Sequence, residues 1–110
     1  MKNSGRASRS LARDKSKIAS LRRSVLPILK QHDVKRAALF GSFARGEGTR
    51  HSDLDLLVEF KGSKSLLDLV ALKQALEAKT RKKVDVLTYR ALHPLIRERI
   101  LSEQVSILWS

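Results

Sequence analysis

The sequence predicts a small α/β domain with its polar chemistry gathered on one face of a sheet. Three observations lead there. Short apolar runs with a period of two alternate with longer stretches whose apolar residues recur every three or four positions. The chain has 110 residues, enough for one compact domain and little more. The acids Asp53, Asp55 and Asp85 fall within or beside the strand-like runs, opposite their apolar faces.

Taken in order, residues 1–13 (MKNSGRASRSLAR) contain no acid and little apolar surface, which predicts a mobile arm. Ile18, Leu21, Val25, Ile28 and Leu29 then mark a helix, in which Pro27 either makes a kink or opens a shorter helix. The chain thus divides into a basic arm, residues 1–17, and a domain, residues 18–110. Val34 to Phe40 reads as a strand too apolar for an exposed edge, and a glycine-bearing segment, Gly41 to Gly48, follows it. Leu54 to Phe60 is a second strand. Leu54, Leu56, Val58 and Phe60 take one face, and Asp53, Asp55 and Leu57 the other. Ser65, with Asp68 three residues on, opens a helix in capping-box fashion. Its stripe of Leu66, Leu69, Leu72 and Leu76 is expected to pack on the sheet. Lys83 to Thr88 is a third strand, with Val84 and Val86 opposite Asp85 and Leu87. A last helix begins near Ala91, carries Pro94 in its first turn, and is expected to bury Leu95, Ile96, Ile100 and Leu101. Val105 to Trp109 suits a short closing strand, with Leu108 and Trp109 covering a sheet edge or meeting a partner or a second copy.

Composition excludes whole classes of function. Without cysteine there is no disulfide scaffold, thiolate metal site or thiol nucleophile, and the chain fits a reducing, cytoplasmic setting. No apolar run approaches the roughly 20 residues of a membrane span, and Arg13 interrupts the N-terminal stretch before a signal-peptide core forms. The net charge of +12 is uneven: residues 1–36 carry 11 basic and two acidic side chains, residues 37–110 carry 12 and nine. A field of that sign draws acidic partners, nucleotides or nucleic acid, or simply keeps the chain in solution.

The informative pair is Asp53 and Asp55. Residues two apart on a strand share a face, with backbones roughly 6.6 Å apart, so both carboxylates can address one ligand. Side by side they repel unless a cation lies between them. A hard divalent ion such as Mg²⁺ meets that need and keeps positions open for phosphate oxygens. If the third strand neighbours the second, Asp85 joins them, and three carboxylates suit two ions roughly 3.5–4 Å apart for displacement at phosphorus. The alternative is plainer, with Asp53 ending a turn, Asp55 on an exposed face and Asp85 paired with Arg81 or Lys83. Gly41-Ser42 directly after the first strand supplies backbone N–H groups and a hydroxyl for a phosphate, and Arg45 a fork of charged donors. This is no Walker loop, since Glu47 stands where its lysine belongs, and no dinucleotide fingerprint, since His51 replaces the last glycine. His51 itself reads as an exposed loop residue, and Arg81-Lys82-Lys83 as a solvated helix end.

Gly41-Ser42, ten intervening residues and Asp53-x-Asp55 together resemble the signature of the nucleotidyltransferase superfamily related to DNA polymerase β. The strings FGSFARGEGTRHSDLDLLVEF and VDVLT are similar to the minimal nucleotidyltransferase (MNT) family, a likeness covering about residues 20 to 108. The resemblance implies a small mixed sheet flanked by helices that binds a nucleoside triphosphate, usually ATP, with two Mg²⁺ ions. Asp53, Asp55 and Asp85 would be the metal ligands and catalytic carboxylates, Asp85 also helping to deprotonate the acceptor. Gly41, Ser42 and Arg45 would hold phosphates. An acceptor hydroxyl would attack the α-phosphorus and release pyrophosphate. Members of that family commonly serve as antitoxins that adenylylate an all-helical HEPN toxin, so the resemblance also implies such a partner. Two other readings stand beside it: a non-catalytic antitoxin that neutralises its partner by contact, and a nucleic-acid binder working through the basic arm.

Overall fold

The computed structural model describes residues 2–49 and 52–108, with side chains from Lys17 onward. Helix α1 (Lys2–Gln31) leads into strand β1 (Val34–Phe40) and a single helical turn, α2 (Gly41–Ala44). Strand β2 (Leu54–Phe60), helix α3 (Leu66–Thr80) and strand β3 (Val84–Thr88) form a β-α-β unit. A 3₁₀ turn (Tyr89–Ala91), helix α4 (Pro94–Glu103) and strand β4 (Val105–Leu108) complete the chain. The sheet order is β3-β2-β1-β4; β1 runs antiparallel to β2 and β4, and β2 is parallel to β3. This is the mixed α/β sheet with flanking helices that the sequence predicts.

The inward faces follow the strand periodicity. Leu54, Leu56 and Val58 of β2 are fully buried against Val25 and Leu29 of α1 and Leu72 and Leu76 of α3. The other face carries a smaller cluster, Leu57, Tyr89 and Leu92, with Phe40, Ile100 and Leu101 packed against it. The described residues include no buried charge.

Helix α1 starts at Lys2, so its helical backbone runs through the segment read as a mobile basic arm. Ala, Leu, Arg and Lys dominate residues 6–17, and good intrinsic helix formers need no apolar stripe to adopt a helical backbone. Pro27 lies inside this one helix, so the shorter-helix alternative falls. Val25 and Leu29 on either side of it are both fully buried, and that packing offsets the one backbone hydrogen bond proline removes. Asp33, at φ +59°, turns the chain out of α1 in the left-handed region that Asp tolerates better than most residues.

Helix α3 opens as predicted. The Ser65 hydroxyl accepts from the Asp68 N–H, and the Asp68 carboxylate accepts from the Ser65 N–H at 2.8 Å. Two expectations need correction. Leu66 stays 74% exposed, and in α4 Leu95 and Ile96 are 88% and 45% exposed. Both helices dock by their later turns, through Leu69, Leu72 and Leu76 in one and Ile100 and Leu101 in the other. Periodicity identifies an apolar face; it carries no information on how far that face extends beyond the sheet beneath it. Helix α4 itself begins at Pro94, where the His93 ring accepts from the Leu95 N–H at 3.1 Å as its cap. His51 and Trp109 lie outside the described residues.

Candidate active site

The parallel pairing of β2 with β3 sets Asp55 directly opposite Asp85, and the antiparallel pairing with β1 sets it opposite Phe40, the residue before Gly41. Three strands therefore deliver the end of β1 and the two carboxylates to one place. Gly41 is fixed there by two independent demands. Its φ of +73° is left-handed, and a Cβ on it would collide with the Asp55 carboxylate. The backbone of the turn after β1 thus lies directly against that carboxylate, which no other residue type permits.

Burial, first, and then the charges of Asp85 and Asp53 raise the Asp55 carboxyl above the usual carboxylate range, with Arg45 pulling weakly the other way. All three aspartates act on one point, but they are not gathered equally. Asp55 and Asp85 are both half-buried on paired strands, whereas Asp53 is exposed and sits just before β2 begins. Among the described residues no group of three or more His, Cys, Asp or Glu stands ready to cage a metal. The donor set nevertheless fits Mg²⁺, which binds through one or two carboxylates completed by water and substrate phosphate. Two carboxylates facing each other across the ladder leave just such a deficit.

A cleft of about 350 Å³ opens beside the pair, with Asp55 and Asp85 at its polar end and Leu69, Val70, Val86 and Leu87 along its walls. Lys73 from α3 reaches the same cleft. On the other side of the carboxylates, Ser42 is half-buried in α2, where its carbonyl accepts from the Glu47 N–H at 2.8 Å. Arg45 is exposed and already engaged. Its Nε lies 3.2 Å from Glu47 and a terminal nitrogen 3.6 Å from Glu103 of α4. The structure brings Gly41, Asp55 and Asp85 together, places Ser42 and Arg45 on the adjoining turn, and leaves Asp53 at the margin.

The sequence reading missed what holds this turn. Gly48 is buried because a Cβ there would lie 2.7 Å from the Phe43 ring, which anchors α2. The Lys17 ammonium donates to the Gly48 carbonyl at 3.3 Å and the Lys82 ammonium to the Thr49 carbonyl at 3.1 Å. Lys82 also rests over the Phe43 ring, 5.1 Å from its centre. Burial, with the neighbouring charge of Lys17, holds Lys82 below the ordinary lysine range, so this residue of the expected solvated run is a structural clasp. The spacing of Gly46 and Gly48 was the available signal, but only the Phe43 ring explains it. Ser52 makes a local turn bond, accepting from the Thr49 N–H at 3.0 Å.

Comparison with known proteins agrees with this geometry. The nucleotidyltransferase domain family matches residues 22–107. A protein of Methanocaldococcus jannaschii, provisionally named a protein adenylyltransferase, is 55% identical over 91 residues, covering 83% of this chain and 98% of its own length. A solved structure described as a minimal nucleotidyltransferase superposes with a TM-score of 0.70 at 41% identity, covering 82% of this chain and 92% of that one. The fold also recurs, at 15% identity and a TM-score of 0.67, in a Shewanella oneidensis complex of an AMPylated HEPN toxin with its MNT antitoxin, over 84% of this chain and 73% of that one. Among the described residues no helix is long and apolar enough to cross a membrane. Matching turn, facing carboxylates and relatives together, the chain belongs to the nucleotidyltransferase family and to its minimal, MNT branch.

Proposed function

We propose that this chain transfers the adenylyl group of ATP to a hydroxyl on an acceptor protein, working in the cytoplasm beside a helical HEPN-type partner whose toxicity the modification silences. The observation that carries the reading is Asp55 facing Asp85 across the β2–β3 ladder with the Gly41 backbone closed down on the pair. The names of the relatives supply the adenylyl group and the protein acceptor, and the toxin–antitoxin complex supplies the class of partner.

In this reading Asp55 and Asp85, with Asp53 beside them, would hold Mg²⁺. When bound, that ion neutralises charge on the triphosphate and on the leaving pyrophosphate. The turn after β1 binds phosphate through the Ser42 hydroxyl, and Arg45 exchanges its carboxylate partners, Glu47 and Glu103, for phosphate oxygens. The acceptor oxygen attacks the α-phosphorus as the bond to the bridging oxygen of the β-phosphate breaks, and pyrophosphate departs. Asp85 takes the hydroxyl proton. The apolar side chains of Leu69, Val70 and Leu87 flank that exchange on one side. Most of the rate comes from positioning and charge placement, which a domain of 110 residues can supply.

The test uses α-labelled ATP and Mg²⁺ with lysate of the source organism, comparing the native protein with Asp53→Asn/Asp55→Asn. Label on a protein band that the double variant fails to produce supports the reading. Label running with RNA moves the acceptor to nucleic acid. Absence of label from a native protein that still binds ATP leaves neutralisation by contact as the function.

A further inference from the structure

A second cleft, wider than the one at the carboxylates, lies elsewhere on the described part of the chain. An open groove of about 990 Å³ lies at the other end of the sheet, where β1 begins and β2 and β3 end. Six cationic side chains line it: Lys35, Arg36, Lys61, Lys64, Arg90 and Arg97. Its lining includes one acid, Glu59, which is taken by Arg36 at 2.5 Å. Lys64 is met by Asp33 from outside the lining, at 2.9 Å. Asp68 stands near Lys64 as well, and the six cations outnumber these three acids, so the groove keeps a positive excess. Lys61 and Arg90 are exposed at its rim.

The position of the groove matters as much as its charge. Glu59 is four residues beyond Asp55 on β2, and Arg36 is four residues before Phe40 on β1, so these groups share the carboxylate face of the sheet. Four strand residues span about 13 Å. Leu57, midway between Asp55 and Glu59 on β2 and fully buried, stands between the two ends. A short extended peptide bridges that distance. Of the two aromatic side chains in the lining, Tyr89 is only 8% exposed with the Arg36 guanidinium over its ring at 4.4 Å, and Phe60 packs against the core on the α1 and α3 side. Without an open aromatic face, bases have no stacking platform, and the charge suits carboxylates on a peptide better than a nucleic acid strand.

We propose that this groove docks an acidic segment of the acceptor protein, holding the acceptor while its hydroxyl reaches Asp55 and Asp85 at the far end of the same face. The inference rests on the protein-acceptor reading above and names the surface that would recognise the acceptor. Charge complementarity of this kind steers association and fixes register.

A fluorescent deca-glutamate peptide and a fluorescent ten-nucleotide oligouridine, each titrated with the full chain at low salt, provide the test. The variant is Lys61→Glu/Arg90→Glu, and the charge-matched control is Arg23→Glu/Lys79→Glu, two exposed residues away from the groove. Circular dichroism confirms that both fold. The expected result is a loss of peptide affinity of about tenfold or more in the groove variant and less than about threefold in the control, steeply dependent on salt. ATP binding stays unchanged in both. Equal losses in the two variants overturn the proposal, because net charge alone would then explain binding. Tighter oligouridine binding through Lys61 and Arg90 also overturns it and assigns the groove to RNA. These outcomes are independent of transfer: a native protein that labels no acceptor sinks the adenylylation reading, whereas a groove variant with native peptide affinity sinks the docking surface alone.

Discussion

The two faces of the sheet differ in how they spend their residues. The face under α1 and α3 is closed: Leu54, Leu56, Val58 and Val84 of the strands and Leu72 and Leu76 of α3 are without solvent exposure, and β2 contributes its three at every second position. The opposite face has one small apolar cluster at its middle, the aspartates at one end and the cationic groove at the other. Stability is concentrated on the first face so that the second can carry unfavourable electrostatics. Like charges are held together there, and a domain without the closed face could not sustain them.

The sharpest way to break that comparison is to empty the closed face. Leu76→Ala removes a fully buried side chain from α3 and leaves a cavity between it and the sheet. The expected cost is about 2–5 kcal/mol, measured by urea unfolding. Transfer activity per folded molecule should be retained, since Leu76 touches neither end of the other face. A cost below about 1 kcal/mol would show that the two faces are not unequal in this sense.

Gly41→Ala strikes the other face at its tightest point. The methyl group meets both the left-handed backbone and the Asp55 carboxylate. The expected cost in stability is about 1–2 kcal/mol, smaller than for Leu76→Ala, because the turn can shift. That shift displaces the turn from Asp55, so adenylyl transfer should fall by about a hundredfold or more, read with labelled ATP, an effect far out of proportion to the stability lost. Equal and small losses in both would mean that the close approach has no role in the chemistry.

These two substitutions also mark what the sequence discloses. The strands, their apolar faces and the capping box of Ser65 and Asp68 were legible because each is a local pattern of period two or a fixed offset of three. The facing of Asp55 and Asp85 was legible only through family resemblance, because strand adjacency is a long-range property that periodicity does not encode. The clasp of Lys17 and Lys82 on the Gly48–Thr49 carbonyls joins residues more than 30 positions apart. A lysine in a basic run gives no sign of which carbonyl it will find. The exposed ends of α3 and α4 failed for a related reason, since amphipathic pattern is continuous along a helix and docking is not.

The electrostatic side of the comparison predicts a sign. Asp55 titrates above its unfolded value of 3.8, so the folded protein binds more protons than the unfolded chain, and stability falls as pH rises through the interval above 3.8. Without metal at pH 7, Asp55→Asn should therefore melt higher than the native protein. The gain is under about 1 kcal/mol because solvent screens a half-buried carboxylate, and it should vanish below pH 4. Added Mg²⁺ should reverse the order by stabilising the native protein alone. A variant less stable than the native protein at pH 7 without metal would contradict a repelling cluster.

The smallest expected effect concerns Leu95. An 88% exposed leucine on the first turns of α4 has little apolar area to lose, so Leu95→Ser should change stability by no more than about 0.5 kcal/mol. Ile100 and Leu101, on the docked half of the same helix, provide the internal contrast, since Ile100→Ala should cost at least about twice as much. The comparison is made on one helix with one method, so differences in helix propensity and unfolded state largely cancel. If Leu95→Ser costs about 2 kcal/mol instead, the first turns of α4 are covered in solution. The open face of the sheet would then be more closed than its residues describe, and the contrast between the two faces would narrow at that end.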